Sequence, residues 1–86
     1  MNVRIPSPLR SYTAGSSQAD AQGETVAEVL ADLDRKYPGI RFRIIDEQDR
    51  IREHIKFFVN TEQAENLQRS IGQSDTLHII CALSGG

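Results

Sequence analysis

An α+β roll, with one main helix laid across a small mixed sheet, is the fold class that this 86-residue sequence predicts. Three observations predict it. One long amphipathic helix pattern lies in the first half of the chain. Short strand patterns stand on both sides of it. The last of these, "TLHIIC", is apolar at alternate and at adjacent positions, which suits a central strand buried on both faces.

The first element is a short strand in "NVRIP". Val3 and Ile5 alternate with polar residues, and Pro6 and Pro8 end the run, with Leu9 folded back onto the core. "SYTAGSSQADAQG" is rich in turn-forming residues and holds at most a weak second strand near Gln18–Gln22. The helix follows. Thr25 and Glu28 have the spacing of a capping box, in which hydroxyl and carboxylate satisfy backbone N–H groups at a helix start. Val26, Val29, Leu30 and Leu33 make one apolar stripe at i, i+3, i+4 and i+7. Arg35 and Lys36 suit the negative end of the helix dipole, and Pro38-Gly39 stops the helix.

Ile40–Ile45 reads as a bridging strand or a turn of irregular helix, and "DEQDR" as a solvated polar turn. "HIKFFVN" is a strand with Ile55, Phe57 and Val59 on one face. Asn60-Thr61-Glu62 turns the chain. Leu67 and Ile71 are lone apolar anchors in a polar connection, after which Gly72–Asp75 leads into the last strand, Thr76–Ala82. The resulting order, β-β-α-β-β, is that of the ubiquitin, or β-grasp, fold. The expected organisation is one β-grasp domain over residues 1–82 and a flexible tail over 83–86.

Composition excludes several function classes. Net charge is −2, with the basic residues scattered among acids, which argues against nucleic acid as the partner. No apolar run reaches the roughly 18–20 residues that a membrane span needs. The opening "MNVRIPSPLR" lacks the apolar segment of a secretory signal. One cysteine, Cys81, builds neither an intramolecular disulfide nor a conventional zinc site, which fits a reducing cytoplasm.

The sequence closes on "ALSGG". Glycine has no Cβ, so two in succession make a thin thread that passes through a narrow channel. Such a thread presents an α-carboxylate to another protein's active site. ATP activates a carboxylate as an acyl-adenylate, and a sulfur or nitrogen nucleophile then displaces AMP. The strand before the tail and the β-grasp order upstream give the Gly-Gly its weight.

The stretch "LDRKYPGIRFRIIDEQDRIREHIKFFVN" together with the terminal "ALSGG" resembles the ubiquitin-like sulfur-carrier family of the MoaD/ThiS type. It looks closest to the CysO-like carriers that serve cysteine biosynthesis. The resemblance implies a carrier and co-substrate, not an enzyme. It implies an E1-like partner that uses ATP to adenylate Gly86, the site of thiocarboxylate formation. A sulfur-accepting synthase is the second partner implied, and a metalloprotease or sulfurtransferase is compatible with the same chemistry. No cofactor is expected on the carrier itself. Gly85 and Ser84 would form the inserted thread, with Leu83 at its base.

Two other functions fit the same tail. One is a protein modifier joined through Gly86 to a lysine amine. The other is a β-grasp interaction module whose tail is inert. Among the remaining candidates, Cys81 reads as core filler, because free cysteine is commonly buried and no activating base is evident. His54 and His78 read as surface or satisfied histidines. Phe57 and Phe58 are adjacent and point to opposite sheet faces, one into the core and one onto a face where a partner docks.

Overall fold

The computed structural model describes residues 1–82. The polypeptide forms strand β1 (Asn2–Arg4), a 3-10 helix (Ser7–Thr13), β2 (Gln18–Asp20), helix α1 (Val26–Lys36), short helix α2 (Ile40–Ile44), β3 (Ile55–Val59), β4 (Glu62–Ala64) and β5 (Thr76–Cys81). The sheet order is β2-β1-β5-β3-β4. β5 lies parallel to β1, with Val3 opposite Leu77, and antiparallel to β3, with Phe57 opposite Ile79. The last strand in sequence is therefore central.

Helix α1 begins as its sequence dictates. Thr25 Oγ1 accepts the Glu28 N–H at 3.2 Å, and the Glu28 carboxylate accepts the Glu24 N–H at 3.0 Å. The reciprocal bond of the capping box thus falls one residue before the cap. Val26, Val29, Leu30 and Leu33 are buried and join one core cluster with Val3, Phe57, Leu77 and Ile79 of the sheet. The helix start is also tied to the polar connection: Val26 and Ala27 N–H donate to the carbonyls of Arg69 and Leu67. Leu67 and Ile71 are buried, as expected of anchors.

Four expectations are refined. Residues 7–13 form a 3-10 helix, begun by two prolines that an α-helix tolerates only in its first turn. Residues 40–44 are helical. Asp34 Oδ1 accepts both the Gly39 and Arg41 N–H groups at 3.1 Å, and Gly39, at φ +99°, supplies the left-handed residue that joins the two helices. Glu62–Ala64 forms an edge strand where the sequence shows only turn and connection. Lastly, β5 is central but not buried on both faces: Leu77 and Ile79 are covered, whereas Ile80 is 42% exposed.

The β3–β4 turn is fixed to the start of β5 by side chains. Asn60, in the left-handed region at φ 57°, accepts the Thr76 N–H at 3.0 Å and donates to Asp75 Oδ1 at 2.9 Å. Asp75 Oδ2 accepts the Gly72 N–H at 2.8 Å.

Two predictions follow from this packing. A Cβ at Gly23 would lie 2.7 Å from the Glu28 Cβ and the Val29 nitrogen, against the first turn of α1. Gly23→Ala should therefore lower stability by about 1–3 kcal/mol in urea denaturation. The hydrogen bond from the Gly72 N–H, then that from Asn60, holds the Asp75 carboxyl below its ordinary value of 3.8. The folded value is depressed, so its contribution to stability is complete above 3.8 and is lost as the pH falls through the lower folded value. Asp75→Asn should lose less stability than the parent across that acid range, and urea midpoints measured against pH read the difference directly.

Candidate functional site: the end of the central strand and the open sheet face

Leu83, Ser84, Gly85 and Gly86, the tail positions predicted to carry the chemistry, lie outside the described residues. Their point of departure is well defined. β5 pairs with β3 through Ile55 opposite Cys81, and the Ala82 N–H extends the ladder by donating to the His54 carbonyl at 2.7 Å. The last described residue is thus still bonded to the β3 side of the sheet.

Period-two alternation sorts the strands' side chains onto two faces. Phe57 is 0% exposed on the core face. This corrects its candidacy as a docking residue: Phe57 is a core aromatic, and only Phe58 is placed to meet a partner. Phe58 stands on the open face, half-buried, between His78 of β5 and Gln63 of β4. Arg4 of β1 extends the row on the far side of His78. Ile80 sits beside Lys56 on the same face. The open face therefore has two apolar side chains, Phe58 and Ile80, with Arg4, Lys56 and His78 around them.

Ile80 escaped the sequence reasoning because an apolar run in a central strand reads as burial. Phe42 escaped it as well. It is 56% exposed on α2, with the Arg52 guanidinium 4.8 Å from its ring centre. The signal present in the sequence was "IRFRI", in which an aromatic stands between two arginines on the face opposite Ile40 and Ile44.

The other candidates separate. Cys81 is half-buried and packs against the core. It lines a cleft with Tyr12, Arg43 and His54, whereas His78 lies on the other face of the sheet. The two histidines and the cysteine do not converge, and no metal-ligating group of three exists among the described residues. "DEQDR" is a turn in which Asp46 Oδ1 accepts the Gln48 and Arg50 N–H groups. Those backbone bonds, the one from Arg50 foremost, hold the Asp46 carboxyl below its ordinary value. Among the described residues, no helix is long and apolar enough to cross a membrane.

A mixed five-stranded sheet with one long helix packed on one face, its other face partly apolar, and its last strand central defines a β-grasp protein. The sequence model of the ThiS family matches residues 3–86, and the chain belongs to the ThiS family. It is 31% identical over 91 residues to a Mycobacterium tuberculosis protein named sulfur carrier protein CysO, covering all of this chain and 98% of that one. Among solved structures, it superposes on the Amycolatopsis orientalis BexX/CysO complex with a TM-score of 0.91 at 33% identity, covering 99% of this chain and 98% of that one. It also resembles SAMP1 from Haloferax volcanii, with a TM-score of 0.79 at 27% identity, covering 100% and 98%. The family and its curated relatives place the chain among small carrier proteins, not enzymes.

The open face predicts a separation of stability from association. Ile80→Ser removes an exposed side chain, so it should cost at most about 1 kcal/mol of folding stability. The same change should weaken binding to a partner enzyme about tenfold or more, since an apolar residue at an interface centre carries a large share of its energy. Urea denaturation and titration calorimetry check the two halves.

Proposed function

We propose that the protein is a sulfur carrier whose Gly86 carboxylate is the reacting group. In the reading, a carboxylate oxygen attacks the α-phosphorus of ATP within an E1-like enzyme, and pyrophosphate leaves. A sulfur nucleophile then displaces AMP from the acyl-adenylate. Hydrosulfide as that nucleophile gives the C-terminal thiocarboxylate directly; a persulfide gives an acyl disulfide, from which a second thiol frees the thiocarboxylate by taking the donor's sulfur into a new disulfide, and a synthase consumes the product. The carrier's own side chains position the tail and select the partner. The CysO relatives favour cysteine or a related sulfur metabolite as the end point.

The observation that carries this reading is the family match running through residue 86, joined to a central strand that leads directly into Leu83-Ser84-Gly85-Gly86. A central strand is held by neighbours on both edges. β5 is paired with β1 over Thr76–His78 and with β3 through Cys81, so an enzyme that draws the following residues into a channel pulls on a strand that is hydrogen-bonded up to its last residue. The open face, with Phe58 and Ile80 ringed by Arg4, Lys56 and His78, is the docking surface we assign to the enzyme body.

The likeness to SAMP1, a small archaeal modifier protein, favours a second reading, in which an amine displaces AMP and an isopeptide bond forms at Gly86. The two readings share activation and differ in the final nucleophile. Incubation with the activating enzyme, ATP and a sulfide source, followed by intact-mass measurement, should show one oxygen replaced by one sulfur. A branched conjugate on a lysine of another protein would support the modifier reading instead. Removal of Gly85 and Gly86 should abolish either product, and a product that survives it would leave the tail inert.

A further inference from the structure

Beside the end of β5 lies a cleft whose lining includes Leu9 and Tyr12 of the 3-10 helix, Arg43 of α2, His54, Ile55 and Cys81. Leu9 and Ile55 are buried and give it an apolar floor. Among the described residues, no carboxylate lines it. Cys81 is at once the last residue of the central strand and part of the cleft wall.

The cleft's cation is held in place. Arg43 Nε donates to the Tyr12 hydroxyl at 2.7 Å. The Tyr12 ring in turn lies against the backbone at Gly39, where a Cβ would approach Tyr12 Cε1 to 3.2 Å. Arg43 enters no salt bridge among the described residues, unlike its neighbours Arg41 and Arg50, which pair with Asp49 and Asp46. With Nε engaged, both terminal nitrogens of the guanidinium remain as donors. The Tyr12 hydroxyl accepts from Arg43, so its own proton is also available. Two guanidinium N–H groups and a phenol in a fixed arrangement match the two oxygens of a carboxylate.

We propose that this cleft is a second contact for the protein that handles the tail, and that it takes an acidic segment of that partner. A carboxylate side chain of the segment sits on Arg43 and Tyr12, and an adjacent apolar side chain covers Leu9, Ile55 and Cys81. The inference rests on the carrier reading for the partner's role, but the site itself is a property of the domain. The contact lies on the side of β5 opposite the Phe58–Ile80 face, so a partner that uses both grips the end of β5 from two sides.

The test uses two capped hexapeptides, EELLEE and its neutral counterpart QQLLQQ, titrated into the isotopically labelled full chain and followed by NMR. The acidic peptide should shift the Arg43 Nε–H and the backbone amides of Tyr12, His54 and Cys81 in a saturable manner, and the neutral peptide should bind about tenfold more weakly. Arg43→Gln and Tyr12→Phe should each weaken the acidic peptide, the former about tenfold. Arg41→Gln should leave its affinity unchanged. Absence of saturable shifts up to about 5 mM peptide, a weak limit for any specific contact, overturns the proposal. So do shifts scattered over Arg41, Arg50 and Arg69, or equal affinity for the Arg43→Gln variant. The titration needs neither ATP nor an activating enzyme. A failed titration therefore leaves the carrier chemistry standing, and failure to form a thiocarboxylate leaves the titration result standing.

Discussion

The structure depends on one constraint: the last strand must enter the middle of a sheet whose other strands are already laid out. β1 comes from one end of the sequence and β3 from beyond both helices, and neither pairs with the other. Only β5 joins them, parallel to one and antiparallel to the other. Leu77, opposite Val3 and Val59, and Ile79, opposite Phe57, complete the core beneath α1. Pairings so distant in sequence carry a loop-closure cost before they yield any stabilisation. The sheet therefore closes as one unit, with the first half of β5 paired on both sides and its last residues, through Ala82, paired on the β3 side.

Much of the holding is done by aspartates, two of them on α1 and two in connections. Asp34 caps α2, Asp46 closes the turn before β3, and Asp75 braces the entry to β5. Asp32 accepts the Gln22 N–H and a close bond from Arg35, and the latter is the main reason its carboxyl is held below the ordinary value. In a small domain with three-residue strands at its edges, orphan backbone donors are many. A short ionised side chain satisfies two of them at once. Acidic residues that look like solvating surface in the sequence thus act as local staples.

This explains what was legible and what was not. Helix α1 was legible because its cap and its stripe agree, and local and tertiary signals point the same way. Strands β1 and β3 were legible from alternation, and β5 from its apolar run. Strand β4, "EQA", has one buried side chain, Ala64, so no periodicity can exist in it; β3 and the Asn60 turn impose it. Helix α2 was ambiguous because five residues hold only Ile40 and Ile44 as a helical repeat, and the deciding bonds come from Asp34 in another element. Of the predicted site residues, Phe58 was legible on the open face from alternation, and the tail positions lie outside the described residues. The cleft was not, because Tyr12, Arg43 and Cys81 stand far apart in sequence and meet only after folding.

The misreading of β5 is the most informative. An apolar residue on each face of a central strand normally means a layer on each side. Here only α1's side has one, and Ile80 faces outward beside the half-buried Phe58. A second buried layer is absent among the described residues, and this open face is the docking surface we propose. Ile80 and Cys81 are consecutive and therefore point to opposite faces, one toward the open sheet and the other toward the Arg43 cleft. Any protein that takes hold of the residues following Ala82 meets both surfaces within one residue's step. A partner that uses the open face alone and one that uses both would bind the same tail with different selectivity. On the carrier function we propose, the two surfaces let the domain distinguish the enzyme that activates it from the enzyme that consumes its cargo.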